Sequence, residues 1–249
     1  DLVRSRGLGD EYKRQLYALN EGNLLEVDDG VAEPVQSTLG SSGDVQSVDV
    51  ADSGLVAAVR RKSNNDFSLQ IGELDGQLQD AVDGPKTTGR ISKSEVDARS
   101  IDDIEGEISV IRLSHSGARV AMVIDGHVYI AAVAQSSSGD KRIVNAREVG
   151  PEVSGSALSL DWNMDGSLIV GTSSSQSPVW RIEQDCFLAL TMPTGNITAP
   201  VVAVASSPTK LFITDSHAML ELPSTVMDET NWREVSGLQG RRSSPIVSN

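Results

Sequence analysis

A single cysteine, Cys186, stands in a chain of 249 residues, so no internal disulfide can form. It lies in DCFLAL, a strand-like run, which favours a buried structural thiol over a nucleophile. A chain of this length buries about 70–75% of its unfolded surface, so its core needs no disulfide. Aromatic residues are also scarce, with three each of Trp, Tyr and Phe. Basic residues are outnumbered 21 to 35 by acidic ones, giving a formal charge of −14. That balance argues against nucleic acid as a partner and against direct docking on an anionic membrane, since both need a basic face. Arg60-Arg61-Lys62 and Arg241-Arg242 are too short to supply one. The acidity reads as solubility through net charge, with an acidic face for a basic partner as the alternative. No apolar run approaches the roughly 18 residues of a membrane-spanning helix. The opening DLVRSRGLGD has no initiator Met and no signal pattern, and reads as part of a longer protein.

Helix signals are nearly absent. Only RGLGDEYKRQ and KSEVDARS (93–100) could carry a short helix. Nucleotide-cradling glycine loops of the form G-x-x-x-x-G-K-[ST] or G-x-G-x-x-G do not occur. Nor does the G-x-S-x-G nucleophile elbow: GSALSLD and GTSSSQS lack its second glycine, and the Ser-rich 172–177 reads as a polar hairpin loop.

What is there is a succession of some fourteen short apolar strands separated by Gly, Ser, Asp and Asn turns. Four segments share one plan: VQSVDVADSGLVAAV, ISVIRLSHSGARVAMVIDGHVYIAAV, ALSLDWNMDGSLIVGTSSSQSPVWRIE and PVVAVASSPTKLFITDSHAMLELP. Each is an apolar strand, a tight turn, a second apolar strand, then a third carrying Tyr129, Trp180 or Met219. Corresponding turn positions are 63 residues apart from Gly54 to Gly117, 49 from Gly117 to Gly166, and 43 from Gly166 to Thr209. A four-stranded propeller blade takes about 40–50 residues. The spacing therefore predicts an all-β chain, a β-propeller of five or six blades. The long first interval implies that one blade is degenerate or incomplete, and missing residues around 75–104 are the favoured explanation. The unpaired strands QLYAL and NLLEV at the start, and NWREV near the end, are expected to complete one blade from both termini. Residues 1–14 read as a linker or the end of an upstream domain, and 15–249 as the propeller.

The stretch 113–133 gathers Ser114, His115, Ser116, Asp125 and His127 within fourteen positions. A catalytic or metal site would need them together. His115 occupies a turn slot filled by Ser53 or Met164 in sister segments, and His127 follows an Asp-Gly hairpin signal. Their spacing matches no usual zinc pattern, and His217 offers none either. Turn and strand entry is the favoured reading. WNMDGSLIVG only faintly resembles the aspartate box of sialidase propellers, without its Ser and Trp. The acidic residues Asp28, Asp29, Asp102, Asp103, Glu105 and Glu107 form no calcium-loop pattern and read as solvated turns. Asn196-Ile197-Thr198 is a formal glycosylation sequon. Trp180 reads as core, whereas Trp162 and Trp232 are expected to be exposed candidates for a partner anchor. No residue is assigned a catalytic, cofactor-binding or metal-binding role, and no cofactor is expected.

Two stretches carry a specific resemblance: LSHSGARVAMVIDGHVYIAAV, and PVWRIEQDCFLALTMPTGNITAPVVAVASSPTKLFITD. They resemble the C-terminal propeller of the actinobacterial LpqB lipoproteins. Blades of that family carry a Ser-x-Asp-Gly-like turn, then Arg-Val-Ala-x-Val and Val-Tyr-Val-Ala strands. A later blade has Pro-Val-Trp-Arg-Val followed by a proline-led Val-x-Ala-Val-Ala strand. QLYALNEGNLLEVDDG is similar to the family's Gly-x-Leu-Tyr-Leu entry strands. The resemblance covers roughly residues 15–240. The family's Leu-Thr-Arg-Pro-Ser-Trp-like and Trp-Thr-Val strands are not found here, nor are its lipobox cysteine and GerMN domain.

The resemblance implies an extracytoplasmic, non-enzymatic protein-interaction module. In the full-length protein it would be anchored to the outer face of the cell membrane by N-terminal lipidation. The implied partner is the extracytoplasmic domain of a sensor kinase, MtrB of the MtrA–MtrB two-component system, with a role in envelope homeostasis and cell division. Two other readings stay open from the residues alone. One is a cell-wall glycan hydrolase or lyase using channel carboxylates; the other is a small-ligand sensor using the channel mouth.

Overall fold

The computed structural model describes residues 2–5, 16–20, 23–28, 31–34, 45–61, 67–73, 79–80, 106–135, 137, 139, 141–150, 155–183, 189–192, 200–206, 210–215, 219–223 and 233–235. All regular structure among them is β-strand, in five four-stranded antiparallel sheets of consecutive strands. The first contains β1 (Leu2–Ser5), β2 (Leu16–Asn20), β3 (Asn23–Asp28) and β4 (Val31–Pro34). The second contains β5 (Val45–Val50), β6 (Leu55–Arg61), β7 (Phe67–Glu73) and β8 (Gln79–Asp80). In the third are β9 (Ile108–Leu113), β10 (Arg119–Ile124), β11 (His127–Gln135) and β12 (Lys141–Val149). The fourth holds β13 (Ala157–Trp162), β14 (Leu168–Thr172), β15 (Val179–Ile182) and β16 (Ala189–Met192). The last is β17 (Ala203–Ser206), β18 (Lys210–Thr214), β19 (Met219–Pro223) and β20 (Arg233–Glu234). The two stretches with helix signals, RGLGDEYKRQ and KSEVDARS, lie outside the described residues.

From the second sheet to the fifth, successive sheets stack face to face, and each interface is an apolar layer. Ala57, Val59 and Ile71 of the second sheet share a core with Ile111, Val120 and Met122 of the third. Val110, Ala121 and Val123 of the third meet Leu160, Trp162 and Trp180 of the fourth. Ile169 and Val179 of the fourth meet Val204, Leu211 and Ile213 of the fifth. Both faces of the interior strands are thus covered, which is why they read as continuous apolar runs rather than strict alternations.

The second and third sheets share one core. The extra length between their turns falls in residues 81–105, so the expectation of a degenerate or incomplete blade with missing residues there lies outside the described residues. The blade expected to combine strands from both termini does not occur among the described residues. There β1–β4 form one sheet and β17–β20 another, because short antiparallel links pair each strand with its sequence neighbour. β1 pairs with β2, so the first sheet begins at Leu2.

The repeat is exact enough to be physical. β5, β9 and β13 each have one exposed residue, at the second position, in an otherwise buried strand. That residue (Gln46, Ser109 or Leu158) is the one left out of the ladder where the register shifts. A β-bulge leaves its extra residue unpaired and turns it outward. At the other end of these strands the same turn recurs: Gly54, Gly117 and Gly166 donate to the carbonyls of Ala51, Ser114 and Asn163 at 2.8–3.0 Å. All three glycines have φ between +74° and +83°, a left-handed conformation that glycine adopts without strain.

Gly171 in β14 is fixed by space instead. A Cβ there would lie 2.6 Å from Ser159 Oγ, 2.7 Å from Val201 Cγ1 and 2.8 Å from the Val201 carbonyl oxygen. Gly171→Ala is expected to cost about 1–3 kcal/mol by overpacking the fourth and fifth sheets. Urea unfolding would show a lower midpoint at unchanged slope; an unchanged midpoint would refute the close approach.

Candidate functional site

The recurring turns stand side by side on one edge of the sheets. A Cβ on Gly117 would meet Ser53 Oγ at 2.7 Å, so the second and third turns are in contact. His115 Nδ1 lies 3.5 Å from Asp52 Oδ2 across the same junction. Between the third turn and the fourth, Asn163-Met164-Asp165-Gly166, runs an open groove of about 410 Å³. Ser114, His115, Ser116 and Arg119 line one side, and Trp162, Asn163, Met164 and Asp165 the other.

Directly beneath these turns, the fifth position of successive inner strands is charged: Asp49, Arg112 and Asp161. All three side chains are buried. Two of them tie neighbouring sheets together. Asp49 Oδ2 accepts from the Leu113 backbone N–H at 2.5 Å, and Asp161 Oδ2 from the Ser206 N–H at 2.8 Å. Between them, Trp162 Nε1 donates to the Arg112 carbonyl at 3.1 Å. The second, third, fourth and fifth sheets are therefore linked at one level by bonds to backbone, which fixes the relative positions of the turns above. Charge-assisted bonds to backbone N–H groups are among the stronger ones available.

Arg112 is fully enclosed, and its Nη1 donates to the Ile111 carbonyl at 2.7 Å. Burial lowers its pKa from the ordinary arginine value to about 10, partly offset by the negative charge of Asp161. Charged residues in an inner strand usually need such local compensation. The groove wall is similarly self-compensated at Asp165. Its Oδ2 accepts from Arg181 Nη2 at 2.8 Å, and its Oδ1 from the Ser167 backbone and hydroxyl at 2.8 and 2.6 Å.

The histidine-rich stretch separates in space. His115 sits in the β9–β10 turn. His127 begins β11 at the opposite end of the sheet, one six-residue strand away, about 20 Å. There His127 Nδ1 is 2.8 Å from Glu148 Oε1. Asp125 and Gly126 both have positive φ, as the Asp-Gly hairpin signal requires, and Asp125 Oδ1 caps the Glu107 N–H at 2.9 Å. Of the group, only Ser114, His115 and Ser116 stay together, with 3.5 Å between the two hydroxyls.

Trp180 is buried as expected. Trp162 is not the exposed anchor its sequence context suggested: it is 2% exposed, because the inner strand is covered on both faces. The large apolar residue that is exposed in that turn is Met164, at 47%. The serine-rich 172–177 segment is a loop, yet Thr172, Ser174 and Ser177 are buried and bonded to one another and to backbone. Glu107 is described and exposed. Cys186, His217, Trp232, Asp29, Asp102, Asp103, Glu105 and the sequon at 196–198 lie outside the described residues, as does the side chain of Asp28. Among the described residues no group of three or more His, Cys, Asp and Glu could hold a metal ion. Among them, too, no helix is long and apolar enough to cross a membrane.

Comparison with known proteins bears on both fold and family. Residues 81–248 match the family model described as the lipoprotein LpqB β-propeller domain. The chain is 36% identical over 265 residues to lipoprotein LpqB of Corynebacterium diphtheriae, covering 93% of this chain and 46% of that protein. It is 31% identical over 267 residues to lipoprotein LpqB of Rhodococcus jostii, covering 93% and 45%. The chain thus spans about half the length of the curated relatives it matches. Among solved structures it is similar to puromycin hydrolase, with TM-score 0.56 and 14% identity over 95% of this chain and 38% of that one. The β-propeller domain of Myceliophthora thermophila Cps50 (Swd1) matches at TM-score 0.50 and 14% identity, covering 80% and 63%. At such identities these structures show the fold alone, a β-propeller.

Proposed function

The chain belongs to the LpqB lipoprotein family, and from that premise we propose that its propeller is a protein-interaction module modulating a membrane sensor kinase. The curated relatives are named as lipoproteins, which agrees with an extracytoplasmic, membrane-anchored setting. On this reading the full-length protein is held at the outer face of the membrane by lipidation, and the propeller contacts the extracytoplasmic part of an MtrB-type kinase. Binding would shift the kinase between signalling states in proportion to its difference in affinity for them.

The observation that carries the reading is the rigid row of turns. Bonds from Asp49, Trp162 and Asp161 to neighbouring backbone hold the turns in fixed relation, and a groove with an exposed methionine opens between two of them. A preorganised surface loses little conformational freedom on binding, which favours affinity. The described inner-strand carboxylates support this over glycan hydrolysis, because Asp49 and Asp161 are engaged with backbone donors of the next sheet.

Titrating this chain into the purified extracytoplasmic domain of a cognate MtrB-type kinase, followed by calorimetry, is expected to give saturable binding. No saturable binding, together with measurable turnover of a cell-wall glycan, would replace the interaction reading with an enzymatic one.

A further inference from the structure

We propose that the groove between the turns Ser114–Gly117 and Asn163–Gly166 binds a carboxylate-bearing side chain on an extended segment of a partner protein, through His115 Nε2 and Asn163 Nδ2. This rests on the interaction reading above and adds to it a place and a chemistry.

Two unpartnered nitrogens carry the argument. Asn163 lines the groove yet is 1% exposed. Its amide orientation is set by the protein, because Oδ1 faces the Met164 backbone N–H at 2.9 Å, and a backbone N–H can only donate. Oδ1 also accepts from Ser206 Oγ at 3.1 Å. That leaves the Nδ2 group as a buried donor with no acceptor among the described residues. On the facing wall, His115 Nε2 is likewise buried without a partner among the described residues, while Nδ1 faces Asp52. A carboxylate arriving at Nε2 would favour the ring with protons on both nitrogens, held between two negative charges. Buried polar groups are normally paired, so two unmet nitrogens on opposite walls of one groove, one of them an amide donor of fixed orientation, point to a partner supplied from outside.

The rest of the groove fits the same occupant. The acidic residue on its wall, Asp165, is occupied by Arg181 and Ser167, so its charge is locally balanced. Met164 stands exposed at the rim beside the donors. A donor pair next to a flexible apolar side chain suits a peptide with an acidic residue flanked by apolar ones, since methionine adapts to varied apolar partners. The volume, about 410 Å³, falls within the roughly 300–1,000 Å³ typical of ligand sites and admits side chains rather than a folded domain.

The probe is the capped tripeptide acetyl-Leu-Glu-Leu-amide, titrated into the ¹⁵N-labelled chain by NMR. The peptide is expected to shift the signals of Ser116 and Met164 and the Asn163 side-chain amide. His115→Ala and Asn163→Ala should each weaken binding about tenfold, the cost of a lost hydrogen bond to a charged group. Asn163→Ala also removes two structural bonds. His115→Ala, at a partly exposed turn position, therefore decides the matter if Asn163→Ala fails to fold. The glutamine counterpart of the peptide should bind about tenfold more weakly for the same reason. Equal binding of the glutamine peptide, or no shift at these residues at saturating peptide, overturns the proposal. Succinate binding as well as the peptide would overturn the assignment to a protein segment. Titration of the kinase domain against His115→Ala separates the two readings. Wild-type-like kinase binding with lost peptide binding leaves the kinase reading intact and places its contact elsewhere.

Discussion

Replacing Trp162 with alanine is expected to cost about 3–5 kcal/mol of folding stability, among the largest losses that one core truncation gives. The side chain ends an inner strand, is 2% exposed, and fills the layer between the third and fourth sheets with Val110, Val123, Leu160 and Leu168. Truncation removes that apolar surface and leaves a cavity that sheets held on both faces cannot close. It also strips the Arg112 carbonyl of its indole donor at 3.1 Å. Trp162→Phe separates these contributions, because it keeps most of the volume and loses only the bond, at about 1 kcal/mol. Urea unfolding followed by far-ultraviolet circular dichroism measures both variants without depending on the tryptophan signal. Against a total stability of about 5–15 kcal/mol, the alanine variant is expected to be marginal. A loss below that of Trp162→Phe would show that the bond, not packing, is what Trp162 contributes.

The architecture was legible because one signal repeats. VQSVDV, ISVIRL and ALSLDW have the same burial pattern in the structure, with the same bulge at the second residue and the same glycine-ended turn after the sixth. Turn chemistry at Asp125-Gly126 and the core place of Trp180 were readable for the same reason: each depends on local sequence. What depended on how sheets sit together was not readable. Trp162 reads as an exposed candidate anchor in the sequence, yet its strand is covered by neighbours on both sides. The 63-residue interval is too long for one compact blade, and its extra length falls in residues 81–105, outside those described, between sheets that share one core.

The site was legible only in part. His115 was singled out for its company in sequence, and half of that company, Asp125 and His127, lies at the far end of the sheet. Its actual neighbours, Asp52 and Asn163, come from other repeats. Aligning the repeats does contain a signal: the fifth position of the inner strand is Asp49, Arg112 and Asp161 in strands otherwise apolar or small. A charge recurring at one buried register position requires a partner in the next repeat, and here that partner is backbone.

Removing one of those charges tests that logic. Asp161→Ala is expected to cost about 3–5 kcal/mol, the range for breaking a buried charge pair on one side. It leaves the Ser206 N–H without its acceptor and takes from Arg112 the negative charge that partly offsets its burial. Asp161→Asn keeps an oxygen for Ser206 and should cost less, which isolates the charge. The pH dependence follows from Arg112. Its pKa in the folded chain is about 10, below the ordinary arginine value, so below pH 10 the enclosed charge weighs against folding at full strength. Above about pH 10 the unfolded chain holds a proton that the folded chain has released, so this group's contribution to stability rises with pH. Without Asp161 the folded-state pKa drops further, and the relief begins at lower pH. The stability gap between wild type and Asp161→Asn should therefore narrow between pH 8 and pH 10 in paired urea titrations. A gap that stays constant would mean that Arg112 and Asp161 do not share their charge, and that Asp161 acts on the Ser206 backbone alone.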